Sequence, residues 1–182
     1  MNERTKQRLK INIVAAIICI SLGVLLQFLF EWTDKNYFVA LISSVNESTW
    51  EHLKLLFIPY TFSTVIEYFI YGKNIQSFFL SKLCGVIIGI LSIISLFYTY
   101  TGMFGESIEV INIIIYLIGV ILAYALAFIL PNMISIKSSN GLIESLAIIA
   151  FAVIAVLFFI FTFYPPHIPL FRDPLTMGFG IS

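Results

Sequence analysis

Five apolar runs, each about the 20 residues a helix needs to cross the hydrocarbon core of a bilayer, leave this chain little choice of fold. They fall at about 11–30, 49–71, 77–98, 108–130 and 142–163. With 60% hydrophobic residues, 18 Phe and a mean hydropathy of +1.01, a chain of 182 residues carries more apolar surface than a soluble core of that size can bury, so lipid must cover much of it. The expected fold class is all-α: a polytopic bundle of about five transmembrane helices, multi-pass in a cell membrane. No repeat of 20 to 50 residues and no long linker interrupts it, so residues 1–182 read as one domain ending in a tail over 164–182. The first run is too long for a signal-peptide core and lacks a small-residue cleavage pattern, which makes it a retained helix.

Charge narrows the rest. Ten basic and ten acidic residues cancel, which removes the electrostatic footprint of a nucleic-acid binder. Lys and Arg are unevenly placed. Arg4, Lys6, Arg8, Lys10, Lys73, Lys82 and Lys137 fall toward one side, and Lys35, Lys54 and Arg172 toward the other. Seven against three predicts a cytoplasmic N-terminus and an outward C-terminus. Trp32 and Tyr37 then sit at headgroup depth. Cys19 and Cys84 lie inside apolar runs, where a thiol acts as a small hydrophobe.

The polar residues gather in one stretch, Val45-Asn-Glu-Ser-Thr-Trp-Glu-His-Leu-Lys-Leu55, directly before the second run. Ser48 and Glu51 have the spacing of a capping box, in which serine and glutamate satisfy orphan N–H groups reciprocally. Glu47, Trp50 and His52 need another account, Trp50 as interfacial anchor or as ligand platform. His52, Pro59, Ser63 and Glu67 follow at spacings that keep them near one helix face, a polar stripe entering the membrane. Pro59 frees the Leu55 carbonyl, so a kink or an added acceptor is expected beside the stripe. Glu67, about 22 Å from His52 along the axis, lies too deep to touch the outer cluster and either serves a function or reaches Lys73 or water.

Gly85-x-x-x-Gly89 and Gly119-x-x-x-Ala123-x-x-x-Ala127 are ridges of small residues that predict close helix packing. Asn112 and Tyr116 share one face of the fourth helix. Asn140 and Glu144 read as the cap and first-turn acid of the fifth. The tail, Tyr164-Pro-Pro-His-Ile-Pro-Leu-Phe-Arg-Asp-Pro174, is fixed in φ at four prolines and apolar enough to lie back over the bundle mouth. It should carry His167, Arg172 and Asp173 toward Glu47, Glu51 and His52. The alternative for Arg172 and Asp173 is a plain surface pair.

The segments Asn46-Glu-Ser-Thr-Trp-Glu-His-Leu-Lys54 and Pro166-His-Ile-Pro-Leu-Phe-Arg-Asp-Pro174 together resemble a family of small, uncharacterised Gram-positive bacterial membrane proteins. That resemblance implies a five-helix membrane protein and brings no activity. Ser48 and His52 are also similar to the Ser-x-x-x-His pattern of ceramidase and adiponectin-receptor type membrane hydrolases. Those require an Asp and two further histidines near the end as zinc ligands, where this chain offers His167 alone.

Three readings follow. In the first, the chain is a membrane-embedded enzyme on a lipid or lipid-linked substrate. Glu47, Glu51, His52, His167 and Asp173 are its candidate catalytic groups, Asn46, Trp50 and Arg172 its substrate contacts, and His52 and His167 the ligands of a candidate divalent metal. In the second, a small polar solute binds at the same mouth and passes along Ser63 and Glu67. In the third, the polar mouth recruits a membrane protein partner.

Overall fold

The computed structural model describes residues 2–133 and 141–181, so Lys137 and the expected cap Asn140 lie outside the described residues. Five helices are long and apolar enough to cross a membrane: α1 (Glu3–Trp32), α2 (Thr49–Ile70), α3 (Phe78–Phe104), α4 (Glu109–Met133) and α5 (Gly141–Phe163). Short 3-10 turns at Val39–Leu41, Gly72–Asn74 and Pro169–Phe171 interrupt the connections. The chain is thus an all-α integral membrane protein. Its N-terminus, the end of α2 and the start of α3 share one end of the bundle. The start of α2 and the C-terminal tail share the other, here termed the tail end.

Two helices outrun their apolar cores. α1 begins at Glu3 because Asn2 caps it, accepting from the Arg4 amide at 2.8 Å, and Glu3 pairs with Lys6 at 2.7 Å. Arg, Lys and Gln are good helix formers, so the basic segment before Ile11 continues the helix beyond the apolar run, with Arg8 turned in to the Phe128 carbonyl of α4. α3 likewise runs on to Phe104, past Tyr98, and stops at Gly105, whose φ of +77° is the left-handed conformation that favours glycine.

α2 is the axis of the bundle. It touches all four other helices, and 56% of its apolar stretch is buried against 22–33% in the others. The remaining helices turn Ile17, Leu25, Ile113, Val153 and Val156 outward, as lipid-facing surfaces require. Cys19 is buried, Cys84 half-buried, and both are free thiols.

Small residues set the α3–α4 approach. A Cβ on Gly85 would lie 2.4 Å from the Ala123 carbonyl, so only glycine lets the two backbones meet there. Pro59 does not break α2. The Leu55 carbonyl that it orphans accepts from the Tyr116 hydroxyl of α4 at 3.3 Å, and that hydroxyl also reaches the Cys19 carbonyl at 3.2 Å. Glu144 caps a helix other than its own. Ser77 sits at φ +57° without a side-chain cap on α3, and Glu144 Oε2 instead accepts from the Phe79 amide at 2.8 Å, joining the start of α5 to the start of α3.

Candidate functional site at the tail end

The entry into α2 is held by a relay of caps. Ser48 accepts from the Glu51 amide at 3.4 Å, which is half of the expected capping box. The other half goes to Asn46, whose Oδ1 takes the Ser48 amide at 2.9 Å. Glu51 is buried and committed elsewhere. It pairs with Lys54 at 2.5 Å, accepts the Val45 amide at 3.1 Å and takes the Thr162 hydroxyl of α5 at 3.3 Å. Lys54 in turn donates to the Ala40 carbonyl and to Thr162 Oγ1, both at 2.9 Å. This pair ties the 3-10 turn at Val39–Leu41, α2 and α5 into one corner.

The tail docks on that corner. Asn46 Nδ2 donates to the Gly180 carbonyl at 2.9 Å. Trp50 packs its ring 4.7 Å from Phe171 of the tail and 4.5 Å from Phe158 of α5. Burying Phe171 and half-burying Trp50 supplies the apolar gain that holds a segment with little regular structure. The carboxylate of Asp173 folds into its own loop, accepting from the Leu175 amide at 2.8 Å and the Thr176 hydroxyl at 2.9 Å. Asp173 therefore shapes the tail and does not pair with Arg172. An isolated bridge between Arg172 and Phe179 closes the hairpin around that loop.

Between the docked tail, the start of α2 and the last turns of α3 lies a groove of about 450 Å³. Its polar lining comes from Glu47, Thr49, His167 and Arg172, and its apolar walls include Phe97, Tyr98 and Met177. His167 is exposed and stands edge-on to Phe179, 4.7 Å between ring centres. Arg172 is exposed too, and among the described residues no carboxylate lies within ion-pair distance of it. Glu47 is held from both sides: Oε2 is 3.3 Å from His52 Nε2, and Oε1 accepts from Gln27 of α1 at 3.0 Å. His52 Nδ1 is 3.0 Å from the Ser48 carbonyl and Nε2 faces Glu47, so the ring bridges two acceptors. The hydrogen bond from His52 holds the Glu47 carboxyl below its ordinary range, against the opposing effect of partial burial.

The groove thus joins Glu47, His167 and Arg172, with His52 behind Glu47, while Asn46, Trp50, Glu51 and Asp173 build its frame. Both ring nitrogens of His52 are spent on partners within the chain. Among the described residues no group of three or more His, Cys, Asp or Glu side chains converges on a metal position.

Ser63 and Glu67 belong to the other half of α2. Ser63 Oγ meets the Tyr124 hydroxyl of α4 at 2.6 Å. Glu67 reaches Lys82 of α3 at 2.7 Å and accepts from the Tyr71 hydroxyl. Lys73 is exposed and lies over the Phe69 ring, 5.0 Å from its centre. In the sequence Lys82 counts only toward the charge bias between the two sides, although a lysine within an apolar run is itself the mark of a buried partner. Gln27, Phe97, Tyr98 and Thr162 carried no local signal, because only the fold brings them to the tail end.

A family model described as "Family of unknown function (DUF6512)" matches residues 1–181, and the chain belongs to that family. No curated protein and no solved structure matches it.

Proposed function

We propose that this member of the family binds an anionic amphiphile, a lipid or lipid-linked molecule, with its headgroup in the tail-end groove. The observation that carries this reading is a cation, Arg172, that has no carboxylate partner among the described residues and is placed with His167 on a groove whose remaining walls are mostly apolar. Glu47 is engaged by His52 and Gln27 and makes no ion pair with Arg172. A phosphate or carboxylate beside Arg172 gains charge-assisted hydrogen bonds where water is partly excluded. The Glu47–His52 pair adds a group that can take and return a proton beside the bound headgroup, which suits acid–base chemistry on a lipid-linked substrate.

The groove faces the extracytoplasmic leaflet in this reading. Exposed Arg4, Lys6, Lys10 and Lys73 lie at the opposite end against exposed Lys35 and Arg172 at the tail end, the bias expected for a cytoplasmic N-terminus. The host is then a bacterial cell membrane, as the motif resemblance implies. In whole cells, a cysteine replacing Thr176 should react with an impermeant maleimide added outside, in a background lacking Cys19 and Cys84. Reaction only after the cells are opened inverts the orientation.

For ligand binding, the lipids retained on protein purified in mild detergent are compared between wild type and Arg172→Gln. Wild type should retain acidic lipid above its share in the membrane, and Arg172→Gln should lose that excess, about tenfold in affinity for one charge-assisted contact. Equal retention of acidic lipid by both proteins refutes the reading.

A further inference from the structure

We propose that the occupant is a membrane phospholipid and that one of its acyl chains lies in a second groove, running from the headgroup site toward the middle of the membrane along α3. This rests on the headgroup reading above and specifies which amphiphile that site takes.

The second groove, about 350 Å³, is lined by Ile88, Leu91, Ser92, Ser95 and Leu96 of α3 and by Leu122 of α4. Leu91 and Ser95 stand at i and i+4, and Tyr98, which walls the headgroup groove, at i+7. The three share one face of α3, so the second groove lies directly below Tyr98 along that face. Small side chains make the depression. Ser92 and Ser95 sit among larger aliphatic neighbours, and the Ser92 hydroxyl turns back to the Ile88 carbonyl at 2.7 Å, so that donor is satisfied within its own helix. From Tyr98 to Ile88 the groove descends ten residues, about 15 Å, which is half the thickness of the hydrocarbon core. An acyl chain that begins at the interface and ends near the midplane fits that depth. The charge fits as well: the cation lies at the end where the headgroup must be, and the deeper groove is lined by no charged residue.

The experiment uses the whole protein in phosphatidylcholine nanodiscs with a trace of phosphatidylglycerol bearing a diazirine. In one probe the diazirine is on the headgroup, in the other at mid-chain, and labelled residues are located by peptide mass spectrometry. The mid-chain probe should label the Ile88–Leu96 face and Leu122 severalfold above the lipid-facing residues Ile17 and Leu25 of α1. Ser95→Phe, which fills the groove on a lipid-facing surface, should reduce that labelling to the α1 level and leave headgroup labelling of the tail intact. Arg172→Gln should abolish both preferences, and inorganic phosphate should displace neither. Mid-chain labelling spread evenly over all lipid-facing helices, with headgroup labelling still on the tail, overturns the chain groove alone. Headgroup labelling that ignores Arg172→Gln overturns the headgroup reading on which it rests.

Discussion

Two buried glutamate–lysine pairs sit toward opposite ends of α2, and they differ in what completes them. At the tail end, Lys54 keeps two further acceptors besides Glu51, the Ala40 carbonyl and Thr162 Oγ1, and Glu51 keeps the Val45 amide and the Thr162 hydroxyl. At the opposite end, Glu67 is, among the described residues, the one carboxylate bonded to Lys82, whose ammonium otherwise faces rings, at 5.1 Å from Tyr124, 5.5 Å from Tyr60 and 5.8 Å from Phe78. Ring faces stabilise a desolvated cation but accept no proton in a directed bond. The first pair is therefore a node in a polar network. The second is a clamp between α2 and α3 that depends on a single carboxylate.

The largest effect should follow from breaking the clamp. Glu67→Gln keeps an acceptor for Tyr71 but leaves a buried ammonium uncompensated, at an expected cost of about 3–5 kcal/mol. Combining it with Lys82→Met removes the stranded charge and should recover most of that loss. At the tail end, Glu51→Gln leaves Lys54 with its carbonyl and hydroxyl partners, so the expected loss is about 1–3 kcal/mol. Unfolding titrations of the three variants and wild type in mixed detergent and dodecyl sulfate give the order directly. A Glu51→Gln loss exceeding that of Glu67→Gln reverses the contrast between network and clamp. A double variant no better than Glu67→Gln shows that Lys82 was not the stranded group.

That contrast also explains what could be read from the chain and what could not. The spans are one-dimensional: each helix announces itself by length and hydropathy, and Gly85, Gly89 and Pro59 mark close packing and an orphaned carbonyl without knowledge of any partner. The identity of the donor to Leu55, Tyr116, depends on how α4 crosses α2. The capping box shows the same limit. Ser48 behaves as its local pattern demands, whereas Glu51 leaves the box because Lys54 and Thr162 offer a buried carboxylate better partners than one amide. Asp173 has Glu47, Glu51, His52 and Lys54 on the same end, yet its carboxylate goes to amide and hydroxyl groups two and three residues away, as short acidic side chains in turns do. Ser48, with a local and patterned partner, was legible; Glu51 and Leu55, whose partners arrive from other helices, and Asp173, whose turn carries no repeated pattern, were not.

The smallest effect belongs to the third acid–base contact, Glu47 with His52, which lies at the tail end but outside the buried corner. The Glu47 side chain is 44% exposed, so solvent screens the pair and its removal by Glu47→Gln should cost about 0.2–1 kcal/mol, below either buried pair. Its pH dependence has a fixed sign. The hydrogen bond from His52 lowers the Glu47 carboxyl below its ordinary value of 4.5, so its contribution is fully present above that value and fades as pH falls through the depressed one. The difference in unfolding midpoint between wild type and Glu47→Gln, followed downward from pH 6, should hold constant to about 4.5 and then shrink. A difference that persists through the acid range removes Glu47 as the titrating partner. One as large as that of Glu51→Gln would mean that contact with His52, and not burial, sets the worth of charge at this end of α2.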